Sequence, residues 1–322
     1  MTAQLSSIRW RAWVASYGLL AALVALIVLF TALNPRFLTL PNLTTLLEQN
    51  AALFIISAGA TFAIISQNID LSPASVLAFA GVLLGLVFQS TGSLALGILA
   101  GVVGAIAVEL INAALIVRGG INPLIVTLAC WIWARGLAVS LTGADSISVR
   151  DPFLDFLTRP LLFEVSPAIL LAGAVFWAGG FILARTRLGR YTYAMGSDER
   201  ATIQAGVPVG KYKFIMFALF GVLVGLAMLV TVSRLGAAAP DAAYGLELDA
   251  IVAVIIGGNS FLGGEGNMRR TVIGALFIAV LNNGLGNLGM LDAQIAVYKA
   301  AAILLALLFG TVSARLVKDH RS

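Results

Sequence analysis

Ten stretches of this chain, 14–33, 50–66, 71–88, 94–117, 121–141, 166–184, 212–232, 248–262, 271–290 and 294–312, are apolar over roughly the length that a bilayer core asks of a helix. Hydrocarbon gives a backbone no hydrogen-bond partner, so such stretches fold as helices. Only 11 % of the 322 residues are charged, against about a quarter in a soluble domain. Lipid is therefore the main solvent. The expected fold is all-α: a polytopic membrane bundle of about ten transmembrane helices, forming a single domain over 1–322. Small residues four apart, Gly81 with Gly85, Gly97 with Gly101 and Gly221 with Gly225, suit close helix packing. The first stretch follows Arg9-Trp10-Arg11, is too long for a signal-peptide core and lacks a small-residue cleavage site, so it is expected to remain in the mature chain.

Charge sets the expected orientation. If the N-terminus is cytoplasmic and every stretch crosses, fourteen of the 20 Lys and Arg fall in inner connectors and four, Arg36, Arg150, Arg159 and Arg234, in outer ones. The positive-inside rule then places both termini in the cytoplasm. The basic residues are scattered among short connectors, with no basic, aromatic-rich face for nucleic acid. Cys130 and His320 are the only cysteine and the only histidine, which leaves no disulfide, no Cys–His metal site and no nucleophile–base pair. No cofactor is expected on this chain.

Polar residues interrupt the apolar pattern twice. Residues 67–73 read Gln-Asn-Ile-Asp-Leu-Ser-Pro, where Asp70 is placed to cap the next helix and Pro73 to open it. Tyr244-Gly245-Leu246-Glu247-Leu248-Asp249 precedes an apolar run that ends in Gly257-Gly258-Asn259-Ser260. Paired breaks in two halves of a membrane protein point to a solute site, because loose helix ends offer free donors and acceptors. Glu109, Asn112, Asn122, Arg135, Asn282, Asn283, Asn287 and Lys299 lie within or beside the spans. Such residues face a bundle interior or a watery path. Neutral amides suit hydroxylated solutes, and Asn68, Asp70, Ser72, Asn112, Arg135 and Asn282 are the candidates for lining a path. Glu109 and Arg135 are expected to pair with each other, and Lys299 to reach the headgroups.

Two connectors are longer than a turn requires. The outer one, 142–165, carries Asp145, Asp151, Asp155 and Glu164 and offers a surface to an external partner. The inner one, 185–211, holds six basic residues if Lys213 is included. Within it, Ser197-Asp198-Glu199-Arg200 supplies an N-cap and early acids, and Gly206 with Pro208 supplies a stop. A helix of about two turns is expected between them.

The segment 188–206, LGRYTYAMGSDERATIQAG, resembles the cytoplasmic coupling segment of the ribose-type family of bacterial ABC importer permeases. Glu247-Leu248-Asp249-Ala250-Ile251, Gly257-Gly258-Asn259-Ser260 and Gly263-Gly264-Glu265-Gly266 are similar to that family's second strong signature. Asn68-Ile69-Asp70-Leu71-Ser72 resembles its first, and Asn282-Asn283-Gly284 with Lys299 extends the likeness, which runs from about Asn34 to Leu308.

The resemblance implies a permease dimer in the bacterial inner membrane. Its implied partners are a second permease copy, a cytoplasmic ATPase with two tandem nucleotide-binding halves, and an extracytoplasmic solute-binding protein. Monosaccharides and related polar solutes are the implied cargo. Gly196, Ser197, Asp198, Glu199, Arg200, Ala201 and Gly206 would form the coupling element. The chain has no Gly-rich Lys-Ser/Thr phosphate loop, so ATP and Mg would be held by the partner ATPase. Three departures fall near the expected path: Asn68 where members usually carry Gly, Pro73-Ala74 for Val-Gly, and Ala113 for the Gly that many have after Asn112. They leave the substrate open. A branched-chain amino-acid-type ABC permease and an ion-coupled secondary transporter are the alternatives. The latter needs no coupling helix, and no chain of Asp, Glu and His suggests a proton relay. An intramembrane enzyme would need a dyad or metal cluster that the sequence lacks.

Overall fold

The computed structural model describes residues 2–161, 164–291 and 293–305, with the backbone alone over 2–17. The helices are α1 (Thr2–Leu33), α2 (Leu40–Gln49), α3 (Ala51–Ile65), α4 (Pro73–Thr91), α5 (Leu94–Val117), α6 (Pro123–Thr142), α7 (Pro152–Thr158), α8 (Pro167–Arg185), α9 (Arg187–Ser197), α10 (Glu199–Gln204), α11 (Val209–Leu235), α12 (Leu246–Ile256) and α13 (Met268–Asn287), followed by α14 (Ala293–Leu305). Every apolar stretch contains a helix, and the described residues are all-α apart from one short ladder. There β1 (Ile147–Ser148) pairs antiparallel with β2 (Ala237–Ala238), Ile147 opposite Ala238. The end of the last stretch, 306–312, and the C-terminal basic residues lie outside the described residues.

Among the described residues five helices, α4, α5, α6, α8 and α11, are long and apolar enough to cross a membrane unaided, and α2 with α3, bent by 49°, makes a sixth. The stretch expected at 248–262 is a short helix. Its 11 residues in α12 rise about 16 Å, half a bilayer core, before Gly257 stops it.

Apolar character on every side of a helix requires burial on every side. All of α3 except Ala52 is buried, and α11 packs against α3, α4 and α5. These two helices form the centre of the bundle. By contrast α6 and α8 bury a single stripe each and turn Ile125, Ile132, Leu170 and Trp177 outward, as lipid-facing helices do. Small residues set the closest approaches. A side chain at Gly97 would meet the Leu84 carbonyl of α4, and one at Gly221 the Ile106 backbone of α5. Two of the pairs legible in the sequence thus lie at helix crossings.

Residues that the charge count assigns to one side also meet at one end. Residues 65–67, 196 and 262–264 converge at one end, called inner after the charge count. Val149 with Gly236, and Ser233 with Leu154, join at the opposite end, called outer.

Candidate functional site

The first break is built around Asp70. Helix α3 ends where Gln67 turns into the left-handed region, φ +58°, and the Asn68 amide donates to the Ser66 carbonyl at 2.8 Å. Asp70 Oδ1 accepts from both the backbone N–H and the hydroxyl of Ser72, each at 2.7 Å. Ser72, and not Asp70, is therefore the residue immediately ahead of α4; Asp70 acts one step earlier, as an Asx-type turn.

Four of the path candidates come together here. Asn112 and Glu109 lie three apart on one face of α5. The Asn112 amide donates to Ser72 Oγ and to Glu109 Oε2, each at 3.3 Å, while Ser72 Oγ lies 3.4 Å from Glu109 Oε1. From α6, Thr127 donates to the Ile69 carbonyl at 3.3 Å. Asn68, Asp70, Ser72, Glu109 and Asn112 are all at most 2 % exposed. Two carboxylates thus sit in one buried network, and among the described residues neither forms an ion pair. Asp70 Oδ2 and Asn68 Oδ1 have no hydrogen-bond partner. Buried polar atoms of this kind are costly unless function needs them.

Arg135 and Asn282 lie apart from this cluster. The expected Glu109–Arg135 pair does not form. The buried stripe of α6 runs through Thr127, Cys130, Ala134 and Ala138, and Arg135, one residue past Ala134, points about 100° away from it. Its Nη1 donates instead to the Pro240 and Ala242 carbonyls at 2.7 and 2.9 Å. The Asn282 amide donates to Asn50 Oδ1 at 3.4 Å, and Asn42, Asn283 and Asn287 form a neighbouring amide group that ties α2 to α13. Lys299 does not reach outward; it pairs with Asp249 at 2.7 Å.

The turn that follows α12 is organised by Asn259. Its amide donates to the Val254 carbonyl at 2.9 Å and to Thr271 Oγ1 at 3.0 Å, and its Oδ1 accepts from the Asn267 N–H at 2.7 Å. The Thr271 hydroxyl meets that of Thr61 on α3 at 2.7 Å.

The first break and the turn that follows α12 meet the inner loop at one junction. The Gln67 amide donates to the Gly196 carbonyl at 3.0 Å and to the Leu262 carbonyl. The Gly264 N–H donates to the Ile65 carbonyl at 2.8 Å, and the Tyr193 hydroxyl to the Gly266 carbonyl at 2.7 Å. Burial holds that phenol above its ordinary pKa, against the nearby Arg270, so it remains a donor. Gly196 has no room for a side chain: a Cβ there would strike the Ile65 carbonyl and the Gly264 nitrogen.

The loop helix itself departs from expectation at its start. Ser197 is the last residue of α9, an amphipathic helix that caps and stop signals alone do not reveal. Asp198 breaks the chain there and caps α10, its carboxylate accepting from the Ala201 N–H at 2.9 Å. The helix spans Glu199–Gln204, and Gly206 follows at φ +82°. Arg200, Ala201, Ile203 and Gln204 are exposed, Ile203 by 54 %. Glu199 pairs with Lys213, with contacts of 2.7 and 2.8 Å, while its own side chain stays 43% exposed. The sequence shows Glu109, Gln67 and Lys213 as polar residues but not their partners, which are Asn112 and Ser72, Gly196 and Leu262, and Glu199. Buried Gly189, Thr192, Met195 and Gly196 trace the helical period that would have revealed α9.

Residues 42–312 match the family described as branched-chain amino acid transport system / permease component. The chain is 36% identical over 304 residues to the ribose import permease protein RbsC of Escherichia coli (strain K12), which covers 92% of this chain and 94% of that protein. It is 32% identical over 302 residues to the D-allose transport system permease protein AlsC of the same strain, with 92% and 90% coverage. It is also 32% identical over 286 residues to the L-arabinose ABC transporter permease protein AraH of Azospirillum brasilense, with 88% and 84% coverage. The chain belongs to this family of ABC transporter permeases, and it is a multi-pass membrane protein.

Proposed function

We propose that this chain is the membrane-spanning subunit of an ATP-driven importer that carries a monosaccharide inward by alternating access. The observation that carries the proposal is the junction at Gln67, Gly196 and Leu262, where the loop resembling a coupling segment is hydrogen-bonded, through Gln67 and Tyr193, to the first polar break and to the turn that follows α12. The sugar assignment rests on the relatives, whose names specify ribose, D-allose and L-arabinose. Their coverage of nearly the whole chain favours a sugar over a branched-chain amino acid.

In this reading both termini are cytoplasmic, ten segments cross, and 1–322 forms one membrane domain whose coupling segment is about 185–211. Arg200, Ala201, Ile203 and Gln204 of α10 face a cleft in a tandem ATPase, which binds ATP and Mg. A solute-binding protein delivers cargo to the outer face, and a second permease copy completes the path. Asn68, Asp70, Ser72 and Asn112 line its inner part and Arg135 its outer part. Asn282 lies at the α2–α13 contact. Closure of the ATPase moves α10, and the junction passes that movement to the first break and the turn after α12.

Orientation is tested by thiol labelling in a Cys130→Ala background. Asp198→Cys is expected to react only from the cytoplasmic side and Asp155→Cys only from outside; reaction of both from one side refutes the topology. The transport reading is tested in vesicles reconstituted with the ATPase and the binding protein. Uptake of labelled D-ribose, D-allose or L-arabinose is expected to require ATP and to survive ionophores. Uptake driven by an ion gradient without ATP would establish a secondary transporter instead.

A further inference from the structure

Four side chains, two from the middle and outer half of α6 and two at the start of α12, make a second polar site, distinct from the Asp70–Glu109 network. Trp131 and Arg135 are four apart on α6 and share a face. Arg135 lies seven residues short of the end of α6 at Thr142, or about 10 Å inside it. The Trp131 indole N–H donates to Glu247 Oε1 at 3.1 Å. Glu247, in the first turn of α12, is only 3 % exposed. The Arg135 guanidinium stands 5.9 Å from the centroid of the Tyr244 ring, which is itself 75 % exposed. The backbone between them is unusual: Ala243 takes φ +57°, a strained value for a residue with a side chain, and Gly245 takes +82°.

The hydrogen-bond capacity of this group is only half used. Arg135 spends Nη1 on two carbonyls, while its Nε and Nη2 are buried with no partner. Glu247 spends one carboxylate oxygen on Trp131, while Oε2 is buried with no partner. The two side chains lie within electrostatic reach of one another, yet no ion pair within 4 Å joins them among the described residues. Unspent donors and an unspent acceptor in one place ask for a ligand that both accepts and donates. A vicinal diol does both. An anion would meet Glu247 and a cation Arg135, so a neutral ligand fits best. The rings of Trp131 and Tyr244 offer apolar faces to the C–H groups of such a ligand.

We propose that Trp131, Arg135, Tyr244 and Glu247 form an outer sugar subsite, which takes a neutral monosaccharide through a pair of adjacent hydroxyls before it passes inward. The subsite rests on the monosaccharide reading above and adds the residues that recognise the solute. Arg135 also holds the 240–242 backbone, so occupation of the subsite is coupled to the position of the second break.

The test uses the permease–ATPase complex in lipid nanodiscs, without binding protein, titrated with D-ribose, D-allose and L-arabinose while intrinsic tryptophan fluorescence is followed. Trp131 is one of five tryptophans, and its indole is bonded to the proposed ligand group. At least one sugar is expected to change the signal saturably, and Trp131→Phe is expected to lose that change. Glu247→Gln and Arg135→Lys are each expected to raise the half-saturating concentration about ten-fold, the effect of one lost charge-assisted hydrogen bond. Tyr244→Ala, at an exposed position that folding does not depend on, is expected to raise it several-fold. Wild-type titration curves in all four variants would overturn the subsite. So would a wild-type complex that responds to no sugar yet still imports one; that result spares the monosaccharide reading. Failure of both binding and import removes the reading and the subsite together.

Discussion

Ala201→Asp and Ile203→Asp are each expected to leave the permease inserted and dimeric while weakening its association with the ATPase about a hundred-fold or more. Both residues are exposed on α10, so neither substitution disturbs packing within the chain. In a docked cleft each would bury an unpaired carboxylate, at about 2–5 kcal/mol, and each 1.4 kcal/mol is roughly ten-fold in affinity. Co-purification and substrate-stimulated ATP turnover should fall together. Glu199→Arg should fail for a different reason. It places a second cation against Lys213, whose side chain is 10% exposed, and so disorders the helix from within. Full association and turnover in the two Asp variants would make 197–206 an ordinary surface loop.

The second large effect is expected at Glu109. Glu109→Leu removes one of the two acceptors of the Asn112 amide and a neighbour of Ser72 Oγ in a fully buried site, and a buried donor left unpaired costs about 1–3 kcal/mol. Uptake should fall about ten-fold or more, with α4 and α5 less firmly joined. Glu109→Gln keeps the shape and retains an acceptor for Asn112, and it should hold uptake within a few-fold of wild type. Equal activity in Leu and Gln variants, with unchanged thermal stability, would remove the network from the transport cycle.

These two regions differ in how far they were legible from sequence. The bundle could be read because lipid demands long apolar runs, and each run contains a helix among the described residues. The break at 67–73 could be read because a polar run between two apolar ones must leave the lipid and find partners inside the bundle. That Asp70, Ser72 and Asn112 share one network follows from the packing of α4 on α5, which no single stretch of sequence states. Glu109 was assigned to Arg135 because opposite charges invite pairing. Along their helices, however, they lie about 12 and 18 Å from the inner end, on different faces. Gln67 was legible only as one member of that polar run: its partners are two carbonyls more than a hundred residues away.

In the proposed cycle, movement of the inner loop reaches the first break and the turn after α12 through Gln67 at this junction. The direct measurement is sugar imported per ATP hydrolysed, in vesicles holding either the wild-type complex or Gln67→Ala. Loss of the side-chain bonds to Gly196 and Leu262 is expected to leave the ATPase bound and hydrolysing, while import per ATP falls about ten-fold, as about 1–2 kcal/mol of lost coupling implies. The same import per ATP in Gln67→Ala as in wild type would contradict a coupling role for the junction.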